Sequence, residues 1–143
     1  MAMRGNPRDF LILTNNPLVE EIIAHFGKWT VQFMPEKSYR DILLTARDMI
    51  YAGHILYTHP LSGSVKPGET PYKSLVVSVT PHGMENDHAL LIANAIEVHD
   101  KFQQIDWTDR EDAMKDFQLI DYALLSGAIG FDAEAGLSYR NQH

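Results

Sequence analysis

The sequence contains no cysteine. This absence excludes disulfides, thiolate zinc sites, iron–sulfur ligation and a cysteine nucleophile. Basic residues are also scarce, because 12 Lys and Arg stand against 19 Asp and Glu and give a formal charge of −7. Nucleic-acid affinity depends mainly on Lys and Arg that displace counterions from phosphates, so we predict neither a DNA nor an RNA partner.

Long apolar runs are missing as well. Runs such as residues 10–13 and 75–77 are far shorter than the ~20 residues that span a bilayer. Residues 1–8 contain Arg4 and Arg8 but no apolar stretch of signal-peptide length, so we interpret them as a flexible leader. We therefore expect no membrane partner and a cytoplasmic location.

The residues that are present favour one packed domain. The chain has 143 residues, of which 45% are hydrophobic and 22% charged, as in an ordinary globular protein. We place a single domain at residues 9–127. Residues 128–143 show no clear hydrophobic period, and we interpret them as a C-terminal tail.

The first half of the chain alternates strand and helix patterns. Residues 9–13 predict a buried strand, and Asn16 is placed to cap a helix that ends near Gly27. Residues 29–34 predict a second strand. Ser38 and Asp41 then resemble a capping box for an amphipathic helix.

The second half begins with two more predicted strands, at residues 54–58 and 74–79, separated by a long polar loop with three prolines. A helix follows from residue 86 or 87 to about residue 104. Thr108 and Glu111 predict a capping box for a last helix, which ends near residue 127.

This order of elements predicts the fold class. Two successive crossovers imply an α/β fold, a small three-layer sandwich with a mostly parallel four-stranded sheet and helices on both faces. We expect the strand order 2-1-3-4. In that order a crevice opens at the carboxyl ends of the first and third strands, where Asn15 and His59 would lie.

The polar segments at this edge predict a binding site for an anionic small molecule. The turn at residues 14–16 offers amide and hydroxyl groups at a helix N-terminus, which favours anions. The loop at residues 58–74 adds backbone N–H groups and ammonium groups, although it lacks the P-loop spacing. We assign to this site the turn, strand-end and loop residues Thr14, Asn15, Asn16, Thr58, His59, Ser62, Gly63, Ser64, Lys66 and Lys73.

Two other functions remain open. In a small hydrolase or transferase, His59 would act as general base for Ser62 or Ser64, because an imidazole is the usual activator of a hydroxyl. Against this, the G-x-S-x-G elbow is absent. The chain could also be a structural module that docks a partner. We predict a homodimer, since the loop and the last two helices leave apolar surface beside a small sheet.

The seven histidines do not predict a metal site. His54 and His59 are five residues apart, and His82 and His88 are six apart, which are not strong ligand spacings. We accordingly predict no metal and no cofactor.

Three segments together resemble the GrdX family. They are Thr14-Asn15-Asn16-Pro17, Ser38-Tyr39 and the loop from Thr58 to Ser74, within a similarity that runs from Leu11 to Val79. Proteins of this family are encoded beside the glycine, sarcosine or betaine reductase genes of amino-acid-fermenting anaerobes. The resemblance implies an accessory role in such a system, with a reductase-complex protein as a partner. It supplies no catalytic residue, and without cysteine this chain cannot be the thiol or selenol redox centre.

Overall fold

A computed structural model describes Met3 and residues 5–61 and 68–142. The strands are β1 (Phe10–Thr14), β2 (Thr30–Phe33) and β3 (Ser74–Ser78). The helices are α1 (Pro17–Val19), which continues as a π-helical turn over Glu20–Ala24, then α2 (Tyr39–Tyr51), α3 (Asn86–Asp100), α4 (Glu111–Ile129) and α5 (Ala133–Gln142). Within the described ranges, no helix is long and apolar enough to cross a membrane.

The described strands form a three-stranded mixed sheet in the order β2-β1-β3. β1 pairs with β2 in parallel, with Leu11 opposite Thr30. It pairs with β3 in antiparallel fashion, with Thr14 opposite Ser74. The predicted four-stranded, mostly parallel sheet in the order 2-1-3-4 is therefore wrong.

The error arises at the predicted third strand. Residues 54–58 make only an isolated antiparallel bridge, Leu56 to Val77, on the side of β3 away from β1. All five residues of β3 are buried, since residues 54–58 flank β3 on its other side, whereas Leu56 is the one buried residue of the 54–58 segment. The more apolar segment takes the place beside β1. It enters from a loop rather than a crossover helix, so it runs antiparallel.

Helices cover both faces of the sheet. Alternate strand residues point to opposite sides, so Leu13 packs with α2 and α3 while Ile12 packs with α1 and α4. Within the predicted tail at residues 128–143, residues 133–142 form α5 and bring Gly136 against Tyr122 of α4. The predicted Ser38–Asp41 capping box is confirmed. The predicted Thr108–Glu111 box is wrong, because α4 begins at Glu111 without a side-chain cap.

Candidate functional site

A cleft of about 470 Å³ lies at the carboxyl ends of β1 and β2, within the size range of small-molecule sites. Its walls come from the start of α2, the segment before β3, the end of α3 and α4. The lining residues are Asn15, Pro35, residues 37–40, Gly68, residues 70–72, His99, Gln104, Ile105 and Met114. No Asp or Glu is among these described residues, although the whole chain carries a charge of −7.

Asn15 joins two walls of the cleft. Its side-chain amide donates to the carbonyl oxygens of Lys37 (2.9 Å) and Pro71 (2.8 Å), and its Oδ1 accepts from the backbone N–H of Lys73 (2.9 Å). Both amide protons are therefore used within the chain. Asn15 holds the site together, and it offers a ligand no free N–H.

The amino end of α2 gives the cleft a positive character. Ser38 and Asp41 satisfy each other's backbone N–H groups, at 3.1 Å each. The N–H groups of Tyr39 and Arg40 lie in the first turn, where a helix has no internal acceptors and its dipole favours an anion. Lys37 adds an ammonium group beside this turn.

His99 is the unusual group of the cleft. It is 2% exposed, and its ring stacks on Tyr39 with centroids 5.0 Å apart. Neither ring nitrogen has a hydrogen-bond partner among the described residues. Nδ1 lies 3.7 Å from Oδ1 of Asp100, beyond hydrogen-bond distance. Burial lowers the pKa of His99, so the imidazole is neutral at pH 7.

Arg40 is fixed at the rim by Asp100. Its Nε and Nη2 donate to the two carboxylate oxygens at 2.7 and 3.1 Å. Paired guanidinium and carboxylate groups of this geometry join two elements firmly, here the start of α2 and the end of α3. The pair links the start of α2, which carries Tyr39, to the end of α3, which carries His99.

A buried polar network lies beneath α4. Ser74 Oγ donates to Asp121 Oδ2 (2.6 Å) and lies 2.7 Å from Thr14 Oγ1. Asn16 Nδ2 donates to the same Asp121 oxygen (3.0 Å), while its Oδ1 accepts from the N–H of Leu18 (3.0 Å). The predicted cap by Asn16 is confirmed. Burial raises the pKa of Asp121.

Lys73 lies between this network and the cleft. It lines a smaller cavity that shares Tyr39, Thr70 and Tyr72 with the cleft. Its Nζ lies 5.4 Å from the centroid of the Tyr39 ring. Burial lowers the pKa of Lys73 to about 8.

The remaining predicted residues lie elsewhere or outside the described residues. Thr58 Oγ1 accepts from the N–H of Val76 (3.1 Å), and the exposed His59 accepts from the N–H of Leu61 (3.0 Å) through Nδ1. Neither lines the cleft, since β3 separates them from β1. Ser62, Gly63, Ser64 and Lys66 lie outside the described residues, so the pairing of His59 with a serine stays a prediction.

The residues that sequence reasoning missed lie on helices. His99 is at the seventh position after Ile92, on the same buried face as Ala95 and Ile96. Asp121 similarly shares a buried face with Leu125. The sequence signal for both residues is a polar side chain at a position where the helical periodicity predicts an apolar, buried one. In the described part of the chain, no three His, Asp or Glu side chains are placed to hold a metal ion.

The fold and the cleft define a small mixed-sheet α/β protein with a cleft at one end of its sheet that no described Asp or Glu lines. The model of the GrdX-like protein family matches residues 11–130. The chain belongs to this family, as the resemblance of the loop and turn segments predicted. The family name links it loosely to glycine reductase systems. No curated protein and no solved structure matches the chain.

Proposed function

We propose that this protein is an accessory protein of a glycine or betaine reductase system that binds a small anion in the cleft at the start of α2. The observation that carries the proposal is His99, a buried imidazole without a hydrogen-bond partner, facing a cleft lined by Lys37 and Arg40 and by no described acidic residue. Buried polar groups are almost always paired. A ligand oxygen would give this imidazole its partner.

The groups around the cleft match a carboxylate or phosphate. The N–H groups of Tyr39 and Arg40 supply donors along the helix axis, and Lys37 supplies a full charge. His99 would donate one further hydrogen bond. The Ser38 hydroxyl accepts a hydrogen bond in the capping box, the Thr70 hydroxyl accepts one from the N–H of Tyr72, and neither has a described imidazole as a partner. The geometry therefore favours binding over catalysis here.

The test is calorimetric titration and thermal shift of the full chain with inorganic phosphate, acetyl phosphate and glycine. A probe at 100 times its Kd should stabilise the fold by about 2.7 kcal/mol. Lys37→Gln should weaken the binding of phosphate or acetyl phosphate. Lys28→Gln is the matched control, because Lys28 is exposed and lies before the amino end of β2, whereas the cleft lies at the carboxyl end of that strand.

The pH dependence gives a second readout. An anion beside His99 favours the imidazolium, so it raises the pKa of His99 from the lowered value of the free protein. Binding then takes up a proton, and affinity should increase as the pH falls below 7. If no probe binds, or if the two lysine variants bind phosphate equally well, the proposal is wrong.

A further inference from the structure

The side chain of Lys73 is buried without an ion pair. It is 5% exposed, and none of the ion pairs among the described residues includes it. Its backbone is fixed by Asn15, which accepts the Lys73 N–H at 2.9 Å and donates its own N–H to the Lys73 carbonyl at 3.4 Å. The amine lies over the ring of Tyr39 and lines a cavity of about 20 Å³ together with Asp121.

We propose that the amine of Lys73 forms an imine with a short, uncharged aldehyde that enters this cavity. This inference concerns a different cavity from the anion cleft and does not rest on the proposed function. The space holds about one water molecule, so it accepts a carbonyl group and little more. Phe117, Ile120 and Leu124 of α4 form the apolar part of the lining, and Ile120 and Leu124 are partly exposed to solvent.

The charge state of Lys73 suits this chemistry. A buried lysine loses its proton more readily than an exposed one, and only the neutral amine is a nucleophile. With a pKa of about 8 against the ordinary 10.5, the neutral fraction of Lys73 at pH 7.5 is larger by about two orders of magnitude. The neighbouring Tyr39 stays neutral at pH 7.5, because burial raises its pKa to about 12. It therefore provides no phenolate to keep Lys73 in its charged form.

The reaction needs no oxidant or reductant. The amine lone pair adds to the carbonyl carbon, the new C–N bond forms, and the carbinolamine loses water, so one amine and one aldehyde give one imine and one water. Asp121 lines the same cavity, and burial raises its pKa. In its protonated form it can give a proton to the departing hydroxyl group, and the iminium nitrogen then returns one to solvent or to Asp121.

The experiment treats the full chain with acetaldehyde at pH 7.5, adds borohydride to reduce any imine to a stable ethylamine, and maps the modified lysines by peptide mass spectrometry. Lys73 should be modified roughly tenfold faster than Lys101, whose side chain is 69% exposed, because its larger neutral fraction outweighs the lower nucleophilicity of a less basic amine. The rate should rise with pH and level off above about pH 8.

Two variants make the result specific. In Lys73→Arg, which keeps the positive charge, the fast modification should disappear while the slow labelling of Lys101 remains. In Asp121→Asn, Lys73 should still be modified, and the pH at which its rate levels off should fall, because the Asp121 carboxylate raises the pKa of Lys73. The mapping of the wild-type chain decides the question even if a variant fails to fold. Labelling of Lys73 no faster than that of Lys101 would overturn the proposal, and would leave Lys73 as a packing residue against Tyr39.

Discussion

Replacing His99 by phenylalanine should stabilise the protein and abolish its anion binding. Phenylalanine keeps an aromatic ring against Tyr39, which now stacks on the imidazole at 5.0 Å and 12°. It removes two buried nitrogens that have no partner among the described residues. Leaving a buried polar group unpaired costs about 1–3 kcal/mol, and an apolar group of the same shape avoids this cost.

The expected gain is about 1 kcal/mol. It is smaller than the full cost of two unpaired nitrogens, since phenylalanine is slightly larger than histidine and overpacking opposes the gain. Here the ring borders the cleft, so the added volume has space. For a domain of this length, about 1 kcal/mol raises Tm by about 3–4 °C. Thermal and urea unfolding at pH 7.5 measure both quantities.

The pH profile gives the sign of the effect independently. Burial lowers the folded-state pKa of His99 below its ordinary 6.5, so its neutral form contributes full stability above pH 6.5. That contribution is lost as the pH falls below 6.5, because the unfolded chain takes up the proton first. The phenylalanine variant should lose this part of the pH dependence.

His88 supplies the matched control on the same helix. Its Nδ1 accepts from the backbone N–H of Leu56 at 3.2 Å, so His88→Phe should leave a donor unpaired and lower Tm. A fall of several degrees for His99→Phe as well would mean that the nitrogens of His99 have a stabilising partner. Unchanged phosphate binding by His99→Phe would show that the ligand does not contact this ring.

Three further outcomes are expected. Asn16→Asp should keep the helix cap but place a second carboxylate beside Asp121, whose Oδ2 is 3.0 Å from the present amide nitrogen. Unfolding experiments should show a loss of stability. This loss should shrink as the pH falls, because the two carboxyl groups can then share a proton. Gly136→Ala should cost about 1–3 kcal/mol, because the new Cβ would lie 2.7 Å from Ile22 Cγ2 and 2.8 Å from Phe131 Cε2; an unchanged Tm would mean that α5 is not packed there. The chain should be a homodimer at micromolar concentration, and Leu90→Lys, on the exposed side of α3, should reduce its mass in light scattering to that of a monomer; a monomeric wild type would contradict this.

Helix starts were predictable where the signal lies within one turn. The Asn16 cap and the Ser38–Asp41 box depend on residues two or three positions apart, and both are present. Thr108 shows the limit of such patterns. Its backbone N–H instead bonds Oδ1 of Asp106 at 3.0 Å, in an Asx-type turn that ends before the helix begins.

The sheet was less predictable because strand direction depends on contacts distant in sequence. Local patterning identified the apolar segments at residues 54–58 and 74–78, but not which of them would pair with β1. Ser74–Ser78 takes this buried position, since its central residues are Leu, Val and Val and all five of its residues are buried. Residues 54–58 instead make one bridge to the outer side of β3, and His54 and Tyr57 remain partly exposed there.

The candidate site shows the same dependence on tertiary contacts. Sequence reasoning chose the polar residues of turns, yet the turn residues Thr14, Asn15 and Asn16 direct their side chains inward and use them to hold β1, β3 and α4 together. Their polar groups are satisfied by the chain, whereas His99 comes from a helix face that otherwise consists of core positions. A turn that is buried at the end of the central strand must pair its polar atoms with other groups of the chain. The polar atoms left for a ligand are therefore those of neighbouring elements that border the turn, which is why the cleft's free donors come from α2 and α3.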